Sequence, residues 1–313
     1  MQRAGTTIIQ GNLADRHGIE ALGFSTSRNA PVVHQRDVTS IARWMEILLK
    51  RFYDDEANSL FVQSYDAFYS PGMPQTAVED IDFYAGIAQK AGGNVLELGC
   101  GTGRVALPLA ELGFNVTGVD TSGGLLSIAE RKAAGIPIAA QRRLRFVQQD
   151  MSDLQLGEQF AVVLAPFHSF QHLLTSELQI RALKAIHQHI RPGGRLVLDL
   201  VDLHVDILSE KLVLPRSRSA VHEPSGRRYV RNLLNTCYDH FAQTRHDVWH
   251  FLEIGKDGET LQEETRDLVL RWTHRWELHH MLARCAFSVE AEYSDFRHSP
   301  PSYGKELLVV ARV

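Results

Sequence analysis

Asn94-Val95-Leu96-Glu97-Leu98-Gly99-Cys100-Gly101-Thr102-Gly103, continued by Arg104-Val105-Ala106-Leu107-Pro108-Leu109-Ala110, decides how this chain folds. A short apolar run carrying an acid, then glycines at every second position, then an amphipathic helical pattern, reads as strand, tight turn and helix start. Glycines at such a turn let the backbone pass close to a bound nucleoside. A second apolar run, Val116-Thr117-Gly118-Val119, ends in Asp120, a carboxylate placed at the next strand tip to accept from ribose hydroxyls. A dinucleotide site needs G-x-G-x-x-G, its third glycine allowing the helix to pack closely. After Gly99 and Gly101 that third position is Arg104, so the pattern fails.

What stands instead, Glu97-x-Gly99-x-Gly101-x-Gly103, resembles the cofactor loop of class I S-adenosylmethionine (SAM) dependent methyltransferases, and the resemblance runs from about residue 60 to 313. It implies SAM as cofactor, with Glu97 supporting the loop and the methionine ammonium and Gly99, Gly101 and Gly103 admitting the ligand. Thr121 would line the adenine edge, Asp150 would accept from the adenine amino group and Met151 would pack on the ring. Tyr65-Asp66 and Tyr69 resemble the segment with which small-molecule members close over SAM, where a ring face can meet the sulfonium for about 0.5 to 2 kcal/mol.

Outward from the loop, strand and helix patterns alternate. Ser122 can cap a helix reaching about Ala134; Leu144 to Gln148 and Phe160 to Ala165 read as strands; Ser176 with Gln179 caps a helix to about Ile190. Arg191-Pro192-Gly193-Gly194 reads as a turn before a strand from Leu196 to Leu200. This alternation implies an α/β fold, a mostly parallel sheet with helices on both faces and ligands at the carboxyl ends of its strands. The resemblance makes it a Rossmann-like sheet of seven strands, with Ser288 to Asp295 and Lys305 to Val313 as its reversed edge. Residues 203–271 break the alternation with strands at Arg227 to Tyr238, Val248 to Ile254 and Thr260 to Leu270, an antiparallel β-insert. The expected organisation is a flexible arm over 1–35, a helical cover over 36–91, a core over 92–202 and 272–313, and the insert over 203–271. Helices are expected from Asp37 to Phe52 and from Glu56 to Tyr69, and a capping box at Thr76 and Glu79 opens a third.

In 313 residues, 33 Lys and Arg stand against 37 Asp and Glu, a net charge of −4 that gives no overall positive field for nucleic acid. Three cysteines, Cys100, Cys237 and Cys285, lack C-x-x-C spacing, which fits a reducing cytoplasm better than a disulfide framework. The first residues carry no leader pattern and no run reaches membrane-spanning length, so a soluble protein is expected. Arg142, Arg143 and Arg145 read as a solvated face, and the adjacent His279-His280 do not make a metal site.

The acceptor end is expected after the fourth strand, at Pro166-Phe167-His168-Ser169-Phe170-Gln171-His172-Leu173. This segment looks like that of sugar-amine N-methyltransferases, in which a histidine followed by leucine is a candidate base; it maps onto His172, with His168 second. An imidazole titrating near pH 6.5 suits that role. In the insert, Arg228, Tyr229, Arg231, Trp249, Trp272 and His274 are candidate pocket residues. The insert resembles that of sugar-amine and glycine N-methyltransferases, where it roofs the substrate and can aid homodimer formation. The expected activity is methyl transfer to a small-molecule nitrogen or oxygen. Alternatives are an RNA or protein methyltransferase, a non-catalytic SAM-binding protein and, disfavoured by Arg104, a NAD-dependent oxidoreductase.

Overall fold

A computed structural model describes residues 59–69, 79–201, 217–222 and 225–313. The expected helix over 37–52 and the Thr76 half of the capping box lie outside them. Helices α1 (Leu60–Tyr69) and α2 (Glu79–Ala91) lead into β1 (Val95–Leu98), α3 (Ala106–Glu111), β2 (Val116–Asp120), α4 (Gly123–Ala133), a short α5 (Ile138–Gln141), β3 (Leu144–Gln148) and β4 (Phe160–Ala165). After a 3-10 turn at Ser169–His172 come α6 (Ser176–His189), β5 (Ile190–Val201), β6 (Ser217–His222), β7 (Arg227–Asp239), β8 (Thr244–Ile254), β9 (Thr260–Arg271), α7 (Arg275–Arg284), β10 (Ser288–Tyr293) and β11 (Glu306–Arg312).

Seven strands form one sheet in the order β10-β11-β5-β4-β1-β2-β3. β3 to β5 run parallel through β1, which pairs with β2 on one side and β4 on the other. β11 returns antiparallel between β5 and β10. Because β1, β2 and β4 are buried along their whole length, they read as continuous apolar runs rather than alternating ones. Their side chains join two clusters, one on each face of the sheet. Leu96, Leu98 and Val163 pack with α6 and α7 on one side, and Val95, Val162 and Leu164 with α2 and α3 on the other. The chain order reverses direction at β1, and the ligand-bearing crevice of such a sheet opens at that point.

The second sheet is wholly antiparallel, β6-β7-β8-β9. One of its faces packs on α1, where Phe61 meets Phe251 edge-on at 5.6 Å between centroids. Three details depart from expectation. Thr175, not Ser176, caps α6, its hydroxyl accepting from Leu178 N–H at 3.2 Å. Gln179 is drawn inside instead, where its side chain bonds Thr273 and Arg271. The Arg191-Pro192-Gly193-Gly194 stretch belongs to β5 as an irregularity in the pairing with β4, made possible by Gly193 at φ 75°. Ser122 does cap α4, accepting from Leu125 N–H at 3.2 Å. No helix among the described residues is long and apolar enough to cross a membrane.

Candidate active site

The glycine loop is built by three backbones with positive φ: Gly99 (70°), Gly101 (53°) and Gly103 (80°). The N–H groups of Gly99 and Cys100 both donate to Val119 O, at 2.8 and 3.0 Å. A Cβ at Gly99 would lie 2.6 Å from Ser169 Cβ, so the loop crosses the β4 exit with no room for a side chain. Asp120 binds the loop from β2: Oδ2 accepts from Gly101 N–H at 2.8 Å and Oδ1 from Ser122 N–H at 2.9 Å. Burial raises its pKa, and these two amides oppose the rise. Gly103 departs from expectation. It faces α3, where a Cβ would meet Leu107 Cδ1 at 2.4 Å, so it serves close packing of the helix and does not line the cavity.

Above the loop is a cavity of about 570 Å³. Glu97, Gly99, Gly101 and Asp120 form its floor, Thr121, Asp150 and Met151 one end, and Tyr65 and Tyr69 part of its roof. Glu97 is almost fully buried and its Oε2 has no hydrogen-bond partner among the described residues. Burial pushes its pKa up to about 8, against the opposing pull of Arg104 and the Ala106 amide. Thr121 and Asp150 are exposed at the rim, Asp150 accepting from Ser152 N–H at 2.7 Å. Helix α1 is fastened down by Asp66, which accepts from the Thr102 hydroxyl at 2.6 Å and pairs with Lys132 at 3.0 Å. That places the Tyr65 ring against Gly101 and 4.7 Å from Tyr69. Burial, with Tyr69 and Asp120 adding to it, holds the Tyr65 phenol far above its ordinary pKa, and the hydroxyl stays protonated.

Beyond Pro166 two consecutive non-glycine residues adopt left-handed backbone, Phe167 (φ 50°) and His168 (φ 62°). Such strain persists only where surrounding bonds enforce it. Here Asp199 on β5 enforces it, accepting from Phe167 N–H at 2.8 Å through Oδ2 and from His168 N–H at 3.2 Å through its backbone carbonyl. The turn presents the His168 ring to the cavity while its Nε2 faces back to two carboxylates, Glu306 at 3.3 Å and Asp199 at 3.9 Å. Burial works against protonation of this imidazole, but the Glu306 hydrogen bond and the Asp199 charge outweigh it and raise the pKa. Asp199 is raised in turn, chiefly by burial. The three side chains offer ligand atoms within 4.8 Å of one another. At 3.3 Å the contact of Nε2 with Glu306 is a long hydrogen bond.

His172 lines the same cavity, but burial, helped by the neighbouring His168, pushes its pKa down to about 3. An imidazole titrating near 6.5 is therefore not what the structure provides at that position. His172 is neutral throughout the physiological range. From the insert, Arg231, Arg245, Trp249 and Phe251 reach the cavity. Tyr229 is core, 1% exposed, and Arg228, Trp272 and His274 do not line the cavity.

Residues 95–194 match the family described as a methyltransferase domain. Over these residues the chain carries a methyltransferase domain. A putative methyltransferase, YqeM, of Bacillus subtilis is 29% identical over 224 residues, which cover 69% of this chain and 82% of that protein. The cypemycin N-terminal methyltransferase of a Streptomyces is 31% identical over 150 residues, 48% of this chain and 56% of that one. The CcbJ methyltransferase of Streptomyces caelestis superposes with a TM-score of 0.65 at 25% identity, over 83% of this chain and 99% of its own.

The floor of the cavity fits SAM, the cofactor that the sequence resemblance implies. The unpartnered Glu97 Oε2 is a buried acceptor suited to an ammonium, and the glycines leave backbone where side chains would collide. Sequence reasoning did not single out Asp199, Glu306 or Arg245. The first two come from β5 and β11, more than a hundred residues apart, and only the antiparallel return of β11 brings them to His168. Arg245 lies just ahead of the strand expected from Val248, in a stretch of β8 with no clean alternation.

Proposed function

We propose that the enzyme transfers a methyl group to a small-molecule amine, with His168 as the proton acceptor and His172 as a neutral orienting group. Bound SAM supplies an electrophilic methyl carbon on a sulfonium. Glu97 and the loop backbone hold the cofactor, Asp120 keeps the loop shaped for it, and Tyr65 and Tyr69 close over it. An amine must shed a proton to attack, and His168 takes it on Nδ1, while Nε2 stays on Glu306 and Asp199, whose charges offset the positive charge that the imidazole gains. Positioning of the acceptor in this cavity is the larger contribution, about 7 to 11 kcal/mol for well-aligned reactants.

The observation that carries this reading is the His168 ring held in a strained turn between the cavity and two carboxylates. The cypemycin relative, named for N-terminal methylation, supports nitrogen as the nucleophile. The net charge of −4 and a concave cavity of about 570 Å³ favour a small acceptor over RNA. Exposed Val221, Leu234, Phe241 and Leu261 on the insert are the surface through which a homodimer would form, and sedimentation of the purified protein tests it. The decisive test of function is a screen of amines, phenols, amino acids and amino sugars with radiolabelled SAM, with products identified by mass. Labelled methyl on oxygen alone, or SAM binding without transfer to any acceptor, refutes the reading.

A further inference from the structure

Three arginines among the described residues are buried: Arg231 at 6% exposure, Arg266 at 6% and Arg271 at 5%. Two hold carboxylates, Arg266 with Glu264 and Arg271 with Glu277. Arg231 has no such partner among the described residues, and of the three it alone lines the cavity. Its guanidinium lies among the rings of Phe68, Tyr69 and Trp249, at 4.9, 5.0 and 4.7 Å from their centroids. One Nη donates to the Tyr69 hydroxyl, while Nε is buried with no acceptor.

Ring faces favour a cation, but they do not replace the hydrogen-bond acceptors that a buried guanidinium loses on leaving water. A side chain with five donors and one acceptor in reach is incomplete. Another lining cation on the insert, Arg245, already has its counter-ion, Asp247 at 2.9 Å. The acids of the cavity, Glu97, Asp120 and Asp150, come from the tips of the parallel strands or just beyond them, whereas Arg231 comes from β7 of the insert. The site therefore has an acidic floor for a cationic cofactor and a positive roof with its charge unmatched.

We propose that the acceptor carries an anionic group, a carboxylate or a phosphate, which Arg231 binds through its unfilled donors. This rests on the reading of the cavity as a small-molecule methyl-transfer site, and it names the class of acceptor: an amine bearing a negative charge. The planar fork of the guanidinium suits two-point contact with either oxyanion, and the surrounding rings fix the plane in which that contact is made. Tyr69, hydrogen-bonded to Arg231 and edge-on to Phe167 at 5.5 Å, links the anion position to the turn that holds His168.

The test uses the full chain saturated with S-adenosylhomocysteine, titrated by calorimetry with acetate and with inorganic phosphate. Saturable binding of at least one anion is expected, weakened tenfold or more in Arg231→Met and to an intermediate degree in Arg231→Lys, which keeps the charge but not the fork. Cofactor-product affinity should stay within about twofold in both variants. Thermal melting of the two variants establishes that each is folded, and Arg231→Lys carries the comparison if the methionine variant is not. Absence of saturable anion binding in the wild type, or equal binding in the variants, overturns the proposal. So does loss of S-adenosylhomocysteine binding on substitution with anion binding unchanged, which would assign Arg231 to the cofactor's own carboxylate. Failure of the wild type to bind S-adenosylhomocysteine at all would instead refute the functional reading beneath it.

Discussion

Glu97 should make cofactor binding release a proton. In the ligand-free protein burial holds its pKa near 8, so at pH 7 about nine-tenths of the molecules carry a neutral carboxylic acid there. An ammonium placed against the unpartnered Oε2 favours the carboxylate, and the proton leaves. Titration with S-adenosylhomocysteine at pH 7, in two buffers of different ionisation enthalpy, should give about 0.9 protons released per site, falling to about 0.1 at pH 9. Glu97→Gln should remove that component and weaken binding. The same group sets a stability slope of known sign. Its folded pKa lies above the unfolded one, so the unfolded chain loses the proton first, and stability falls as pH rises from about 4.5 to about 8. Glu97→Gln should flatten that slope, with its melting temperature gaining on the wild type between pH 5 and 8. Equal proton release by both proteins at pH 7 would refute the reasoning.

His168→Asn should lower kcat by about 100-fold or more and remove the acid limb from the pH profile of kcat/KM. Asp199→Asn, which takes away one of the charges holding the imidazole pKa up, should move that limb to lower pH; a limb that stays in place separates Asp199 from the base. His172→Asn should lower turnover with no shift of the limb, since His172 does not titrate in that range. Gly99→Ala puts a Cβ 2.6 Å from Ser169 at a positive φ and should cost about 1 to 3 kcal/mol of stability, read from denaturant midpoints.

The parallel half of the fold was legible because its central strands are buried on both faces and Ser122 caps α4. β2 and β4 were read to the residue from apolar runs, and β3 to the same bounds although it is half exposed. The reversed edge came from the resemblance rather than from periodicity. β6 was missed, since Ser217 to His222 alternates exposed and half-buried residues with no run of apolar ones. In the site, the floor was legible because two short stretches write it, the loop at 97–103 and the acid that ends β2. The acceptor end was not, because neither the left-handed backbone at Phe167 and His168 nor the carboxylates from two distant strands have a local signature. His172 illustrates the limit: its placement in the cavity was read from sequence, but its protonation depends on burial, which sequence spacing does not encode.

β11 enters the large sheet last yet lies inside it, between β5 and β10, and its first residue supplies the Glu306 carboxylate at His168. The residues of the nucleoside cradle end at Met151, about 155 positions before the final strand begins at Glu306. The same strand carries Leu308 and Val309 into the two core clusters, so one late segment completes both the hydrophobic interior and the carboxylate beside the imidazole.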